Sequence, residues 1–224
     1  MKKFYMKYKH ALVAIIYITI YLIWFAILEA KVVHPSTLIY MKADDLIPFC
    51  EVFVIPYLLW FAYVTAVVVY LFFHHKQDYY RACAFLFTGM TVFLLISTLW
   101  PNGHHLRPHV MPRDNIFTLL VSGLYKADTA TNLWPSIHVY NSLGAHIAIV
   151  RNHKLCKNKV VHISSLILCI SIILSTVFIK QHSLFDVITG FIMAVVLYLI
   201  VYAYDIVTVL QMRRYIRRRS VRQV

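Results

Sequence analysis

Apolar residues in this chain come in long runs separated by short polar segments, and the runs have membrane-crossing length. About 20 apolar residues carry a helix through the hydrocarbon of a bilayer. Residues 11–28, 52–73 (with Pro56 inside), 82–99, 160–179 and 187–204 each read as such a span. A sixth run, residues 135–150, carries Ser136, His138, Asn141, Ser142 and His146. The pattern there predicts a helix whose polar side is hidden from lipid by its neighbours. The whole predicts an all-α fold: a polytopic membrane helical bundle of six transmembrane helices, one membrane domain over residues 1–224, without internal repeats.

Composition agrees with that reading. The chain is 61% hydrophobic and 14% charged, where a soluble domain is about 45–50% apolar and about 25% charged. The start, Met1-Lys2-Lys3 before an apolar run, has the outline of a signal peptide. The run is long for that and no small-x-small site follows, so it reads as a retained first helix. Cys50 falls near the outer face, Cys83 and Cys156 near the inner and Cys169 within a span, so neither a disulfide nor a cysteine metal site is expected.

Charge orients the spans. With six spans and both termini cytoplasmic, the inner segments hold 16 of the 22 Lys and Arg residues and the outer segments hold 6. Short basic segments stay on the cytoplasmic side, and dropping the span at 135–150 would reverse the later loops. The formal net charge of +13 therefore points to membrane flanks rather than to nucleic acid. The basic tail over residues 211–224, with Arg213-Arg214 and Arg217-Arg218-Arg219, suits anionic lipid of the inner leaflet, or marks topology alone. These features predict an integral multi-pass protein of the plasma membrane, and leave its oligomeric state open.

Two polar segments fall where spans begin: Trp134-Pro135-Ser136-Ile137-His138 and Lys180-Gln181-His182-Ser183-Leu184-Phe185-Asp186. Ionisable groups at that depth are costly and mark function. In this topology both segments open spans that run inward, so two helix N-termini point at one outer site. Their unpaired N–H groups and positive dipole ends suit phosphate. Arg107 from the long outer loop adds a guanidinium. His182 and Asp186 share a helix face, so the carboxylate fixes the tautomer and leaves the other imidazole nitrogen as nucleophile. His138 is then the general acid. Each piece has a plainer reading: a histidine as a bundle hydrogen bond, Pro-Ser-x-His as a helix cap. His104-His105 and His74-His75 read as interfacial, and Asp44-Asp45 as a solvated loop, the alternative being that it shapes the site entrance.

Taken together, these residues resemble the type 2 phosphatidic acid phosphatase superfamily of membrane lipid phosphatases and phosphotransferases. Its second motif, Pro-Ser-x-His, is intact as Pro135-Ser136-Ile137-His138. Its third, Ser-Arg-x5-His-x3-Asp, stands as Ser175-Thr176, then His182, then Asp186; its first, Lys-x6-Arg-Pro, stands as Trp100, then Arg107-Pro108. The resemblance covers a core of about residues 82–207. It implies His182 as phosphate-accepting nucleophile, Asp186 as its partner, and His138 as proton donor to the leaving group. Arg107 and Ser136 would hold the phosphate, with no metal or other cofactor.

Two motif cations are replaced, the lysine by Trp100 and the arginine by Thr176. Lys180 is the first candidate substitute in phosphate binding, with Arg113 and Lys126 behind it. The expected activity is hydrolysis of a lipid phosphate or diphosphate on the non-cytoplasmic side, by way of phosphohistidine. The alternatives are transfer of a phosphorylated headgroup to a lipid alcohol, as in sphingolipid and inositolphosphorylceramide synthases, and a non-catalytic anion-binding or transport protein.

Overall fold

The computed structural model describes residues 11–32 and 35–212. The basic tail from Arg213 onward and the lysines of the first ten residues lie outside them. The elements in chain order are α1 (Ala11–Lys31), β1 (Thr37–Leu38), α2 (Val54–His74), α3 (Lys76–Leu99), β2 (Asn102–Gly103), α4 (Ile116–Ala127), α5 (Ile137–Arg151), α6 (His153–Lys157), α7 (Lys159–Phe178) and α8 (Leu184–Tyr198). A 3-10 turn, Lys42–Leu46, lies between β1 and α2, and a π turn, Leu199–Ala203, prolongs α8.

Five helices are long and apolar enough to cross a membrane: Ala11–Lys31, Glu51–His74, Lys76–Leu99, Lys159–Phe178 and Leu184–Met212. The run at 135–150 becomes α5, 15 residues long, or about 22 Å at 1.5 Å per residue. It is short because Ser136 caps its start and Asn152, an extended residue, ends it.

α5 lies at the centre of the bundle, packed on α2, α3, α7 and α8. Glycines set how closely. A Cβ on Gly89 of α3 would lie 2.1 Å from the Tyr140 ring, and one on Gly190 of α8 would lie 3.0 Å from Ser136 O. The Tyr140 ring stacks on Phe85 and its hydroxyl donates to Phe85 O at 2.6 Å. His146 Nδ1 bonds Ser165 Oγ at 2.9 Å, so polar groups of α5 find partners on α7. Outward faces stay apolar and exposed, as with Ile15, Phe61, Ile167 and Ile192. α1 is the most peripheral helix, tied to α3 by Tyr17 Oη to Phe87 O (2.7 Å) and Trp24 Nε1 to Thr98 Oγ1 (3.1 Å).

Hydrogen bonds at its two ends give the direction of α5. Ser136 N donates to Asp186 O (3.2 Å) at the start of α8. Asn152 Nδ2 donates to Asp78 Oδ2 (2.7 Å) at the start of α3. Arg81, one turn further along α3, holds Asp205 beyond the end of α8 with two bonds of 2.9 and 2.6 Å. α5 and α8 therefore run side by side with their N-termini at the same end of the bundle. That end is covered by the segments on either side of α4 and by the loop before α2. The pair β1–β2, with Thr37 opposite Asn102 and Leu38 opposite Gly103, joins two of them.

Candidate functional site

His138 stands in the first turn of α5 and His182 two residues before α8, and the shared end brings them into contact. His182 Nε2 lies 3.3 Å from His138 Nδ1, and His182 Nδ1 lies 3.3 Å from Asp186 Oδ2. Asp186 Oδ2 also accepts from Ser183 N at 3.0 Å, while Asp186 Oδ1 is buried without a partner. The capping box formed by Ser183 and Asp186 sets this geometry locally. A proton on His182 Nδ1 satisfies Asp186 and leaves Nε2 with its lone pair; a proton on His138 Nδ1 then points at that nitrogen. Burial holds the His182 imidazole well below its ordinary range, and the charge of Arg107 pushes the same way, so it is neutral. His138 is clamped between aromatic rings, with Tyr57 at 4.5 Å and Trp60 at 4.4 Å between centroids.

Arg107 comes to the same end from the segment before α4. Its Nη1 donates to Tyr125 O (3.3 Å), its Nη2 to Thr129 O (2.9 Å) and to Gln181 Oε1, and its carbon lies 4.4 Å from the Tyr125 ring centre. Its Nε is buried without a partner. Ser136, also buried, accepts from Val139 N at 3.4 Å as the cap of α5, which leaves its O–H proton available as a donor. His138, His182, Asp186, Ser136 and Arg107 thus lie together, around the two helix starts.

Lys180 is turned elsewhere. Its Nζ donates to Asp44 O (2.8 Å) and Ile47 O (2.6 Å), so its charge serves the loop before α2. Arg113 is bound to Glu51 by two bonds of 2.7 and 2.6 Å, and Lys126 is exposed in the last turn of α4. The N–H groups expected to be unpaired at the start of α8 are also taken. Ser183 N goes to Asp186, Leu184 N to Asp44 Oδ1 (2.8 Å), and Phe185 N to Ser183 Oγ (3.2 Å).

Several further residues at this end are buried where the sequence suggests solvent or gives no sign. Asp44 is not in a solvated loop: it is buried and its Oδ2 accepts from Ser183 Oγ at 2.6 Å. His104 is not interfacial: it is 3% exposed, with Nε2 against Gln181 O (2.9 Å) and Nδ1 accepting from Leu106 N (3.1 Å), and burial lowers it to about 4. Gln181, fully buried, links Arg107 to Asp128, whose Oδ2 takes Gln181 Nε2 and Tyr57 Oη, each at 3.3 Å. Burial raises Asp128 to about 6. The available signal was the polar cost of Gln181 beside His182 at a span end. Asp44 carried only its place in an outer loop and Asp128 no signal at all, because their partners are far away in the chain.

An apolar groove of about 250 Å³ runs between α3 and α8 from Trp134 and Pro135, and a second of about 250 Å³ lies between Trp100, Trp134 and Phe185. Both abut the segment that carries Ser136.

A helical bundle of this hydropathy fits an integral membrane protein, here with two histidines and a carboxylate buried in contact at one end. A family model described as PAP2 superfamily matches residues 106–207, and this part of the chain is a PAP2 superfamily domain. A domain of this family points to phosphatase- or phosphotransferase-type lipid phosphate chemistry in a membrane protein. The matched stretch holds Arg107, Ser136, His138, His182 and Asp186; Trp100 lies before it. No curated protein and no solved structure matches the chain.

Proposed function

We propose that this protein cleaves a lipid phosphate ester by covalent catalysis at His182. The observation that carries the reading is the contact chain Asp186–His182–His138, with 3.3 Å at each link. Asp186 fixes the His182 tautomer and steadies the positive ring formed on attack. His182 Nε2 forms a bond to phosphorus while the bond from phosphorus to the lipid oxygen breaks, and His138 gives that oxygen its proton. Water then attacks phosphorus, returns a proton to His138 and releases Nε2. Arg107 Nε and the Ser136 hydroxyl donate to the non-bridging oxygens. A phosphoryl group does not fit between nitrogens 3.3 Å apart, so substrate binding parts the two rings. The lipid tail lies in the apolar grooves beside Trp134.

The six-span reading, with cytoplasmic termini, is supported by the end-to-end course of α5 and by the 16-to-6 charge split. It puts the site on the non-cytoplasmic side. A second reading, headgroup transfer to a lipid alcohol in place of water, is favoured by the loss of two motif cations at Trp100 and Thr176.

The test is product analysis with purified protein over phosphatidic acid, prenyl mono- and diphosphates and phosphorylated sphingoid lipids, with and without an acceptor lipid. His182→Ala is expected to lower turnover by about 10³-fold or more, and denaturation in base during turnover should preserve an acid-labile phosphoryl adduct on wild type alone. Full activity in His182→Ala and Asp186→Ala would refute the covalent assignment.

A further inference from the structure

We infer that the phosphoryl group attacked at His182 is that of a phosphodiester bearing one negative charge, rather than a phosphomonoester dianion. The inference rests on the covalent reading above and goes further by fixing the charge of the reacting group.

The ground is the charge balance at the site. Among the described residues, Arg107 is the cation whose charge reaches His182. Its terminal nitrogens already make three donations within the protein, which leaves the buried Nε–H and one Nη1–H uncommitted by those bonds. Apart from the start of α5, where Ser136 caps Val139 N and the helix dipole adds a partial charge, the other sources of positive potential are spent. Lys180 is held by the carbonyls of Asp44 and Ile47, where it offsets the Asp44 carboxylate. Arg113 is paired with Glu51. The N-terminus of α8 is closed by Asp44, Ser183 and Asp186. His104 is neutral through burial.

Where a third cation could stand, Thr176 is buried and spends its hydroxyl on Ile173 O at 2.7 Å. Against Arg107 stand Asp186, Asp128 one glutamine away, and Glu29, whose oxygens accept from Thr129 Oγ1 (2.5 Å) and Asn132 Nδ2 (2.9 Å). The charges of Asp128 and Glu29 both act on Arg107. One guanidinium, set among carboxylates, suits a monoanion with two non-bridging oxygens; a second negative charge there meets repulsion that low-dielectric surroundings strengthen.

His182 Nε2 bonds to phosphorus and the bond to the lipid oxygen breaks, with a proton passing from His138 to that oxygen. The second ester group stays on phosphorus, so the adduct on His182 is a monoanion throughout. Water or a lipid hydroxyl then releases the remaining monoester or a new diester.

The experiment compares two probes that differ by one methyl group and one charge. These are phosphatidic acid and its methyl diester, with identical acyl chains in the same neutral detergent micelles, using wild type, Asp128→Asn and His182→Ala. The expected result is a kcat/KM for the diester about tenfold or more above that for the monoester in wild type, and a smaller ratio in Asp128→Asn, where one opposing charge is gone. Equal use of the two, preference for the monoester, or a ratio unmoved by Asp128→Asn overturns the inference while leaving covalent catalysis standing. If Asp128→Asn does not fold, the wild-type ratio decides alone. Turnover of neither probe, or turnover that survives His182→Ala, sinks the covalent reading itself.

Discussion

Asp44 closes the N-terminus of α8 from a point 139 residues earlier in the chain. It holds Ser183 Oγ and Leu184 N, and Ser183 N in turn holds the Asp186 oxygen that faces His182. Asp44 therefore fixes the start of α8 that carries the Asp186–His182 contact. Asp44→Ala is expected to cost about 1 kcal/mol of stability as a lost cap, seen as a lower Tm in detergent, and to lower kcat with KM little changed. Asp128 gives a pH signature. Burial raises it from 3.8 to about 6, so the folded state keeps a proton that the unfolded chain gives up. That contribution to stability is full below about pH 4 and is lost as pH rises through 6. Asp128→Asn should accordingly melt above wild type at pH 8, with the gap closing towards pH 4. A gap independent of pH would count against a buried titrating carboxyl. The histidines and Asp186 were legible because each sits at a span start and two share a helix face by spacing. Asp44, Gln181 and Asp128 were not, since a buried carboxylate and a solvated one look alike until the partner is known.

At the level of elements, α5 is set by what it packs on. Gly89→Ala would push a methyl group into the Tyr140 ring, 2.1 Å away; overpacking of this kind costs about 1–3 kcal/mol. The matched control is Gly123→Ala in α4, where a Cβ meets nothing within 4 Å and helix propensity favours alanine by up to about 1 kcal/mol. Thermal unfolding in detergent should lower the Tm of the first variant and hold or raise that of the second. Hydrophobic runs located all five long helices, with bounds off by as much as eight residues where polar flanks extend them, because a lipid-facing helix must be apolar along its length. They gave α5 only as a weak span, because burial inside the bundle frees it from that demand. The expected pair of open helix N-termini did not survive either: dipole and spacing say where N–H groups point, and only tertiary structure says which side chains have taken them.

For the whole molecule the charge split is the handle on orientation. Val110 is 81% exposed in the segment between α3 and α4, and Cys156 lies in the short α6 between α5 and α7. In a background with the other cysteines changed to serine, Val110→Cys should react with an impermeant maleimide on intact cells, while Cys156 reacts only after permeabilisation. The opposite pattern would place the histidines on the cytoplasmic side. The 15-residue, polar-dotted α5 also bears on how the chain is made. Such a segment partitions poorly from a translocon into lipid by itself, yet α2, α3, α7 and α8 enclose it in the finished bundle. Its insertion must therefore wait on helices synthesised after it. Chains cut short before residue 159 should expose α5 to a glycosylation reporter as a non-inserted segment, and full-length chains should not. α5 is then the last helix to be committed to the membrane, and assembly of this end of the bundle doubles as a check that synthesis is complete.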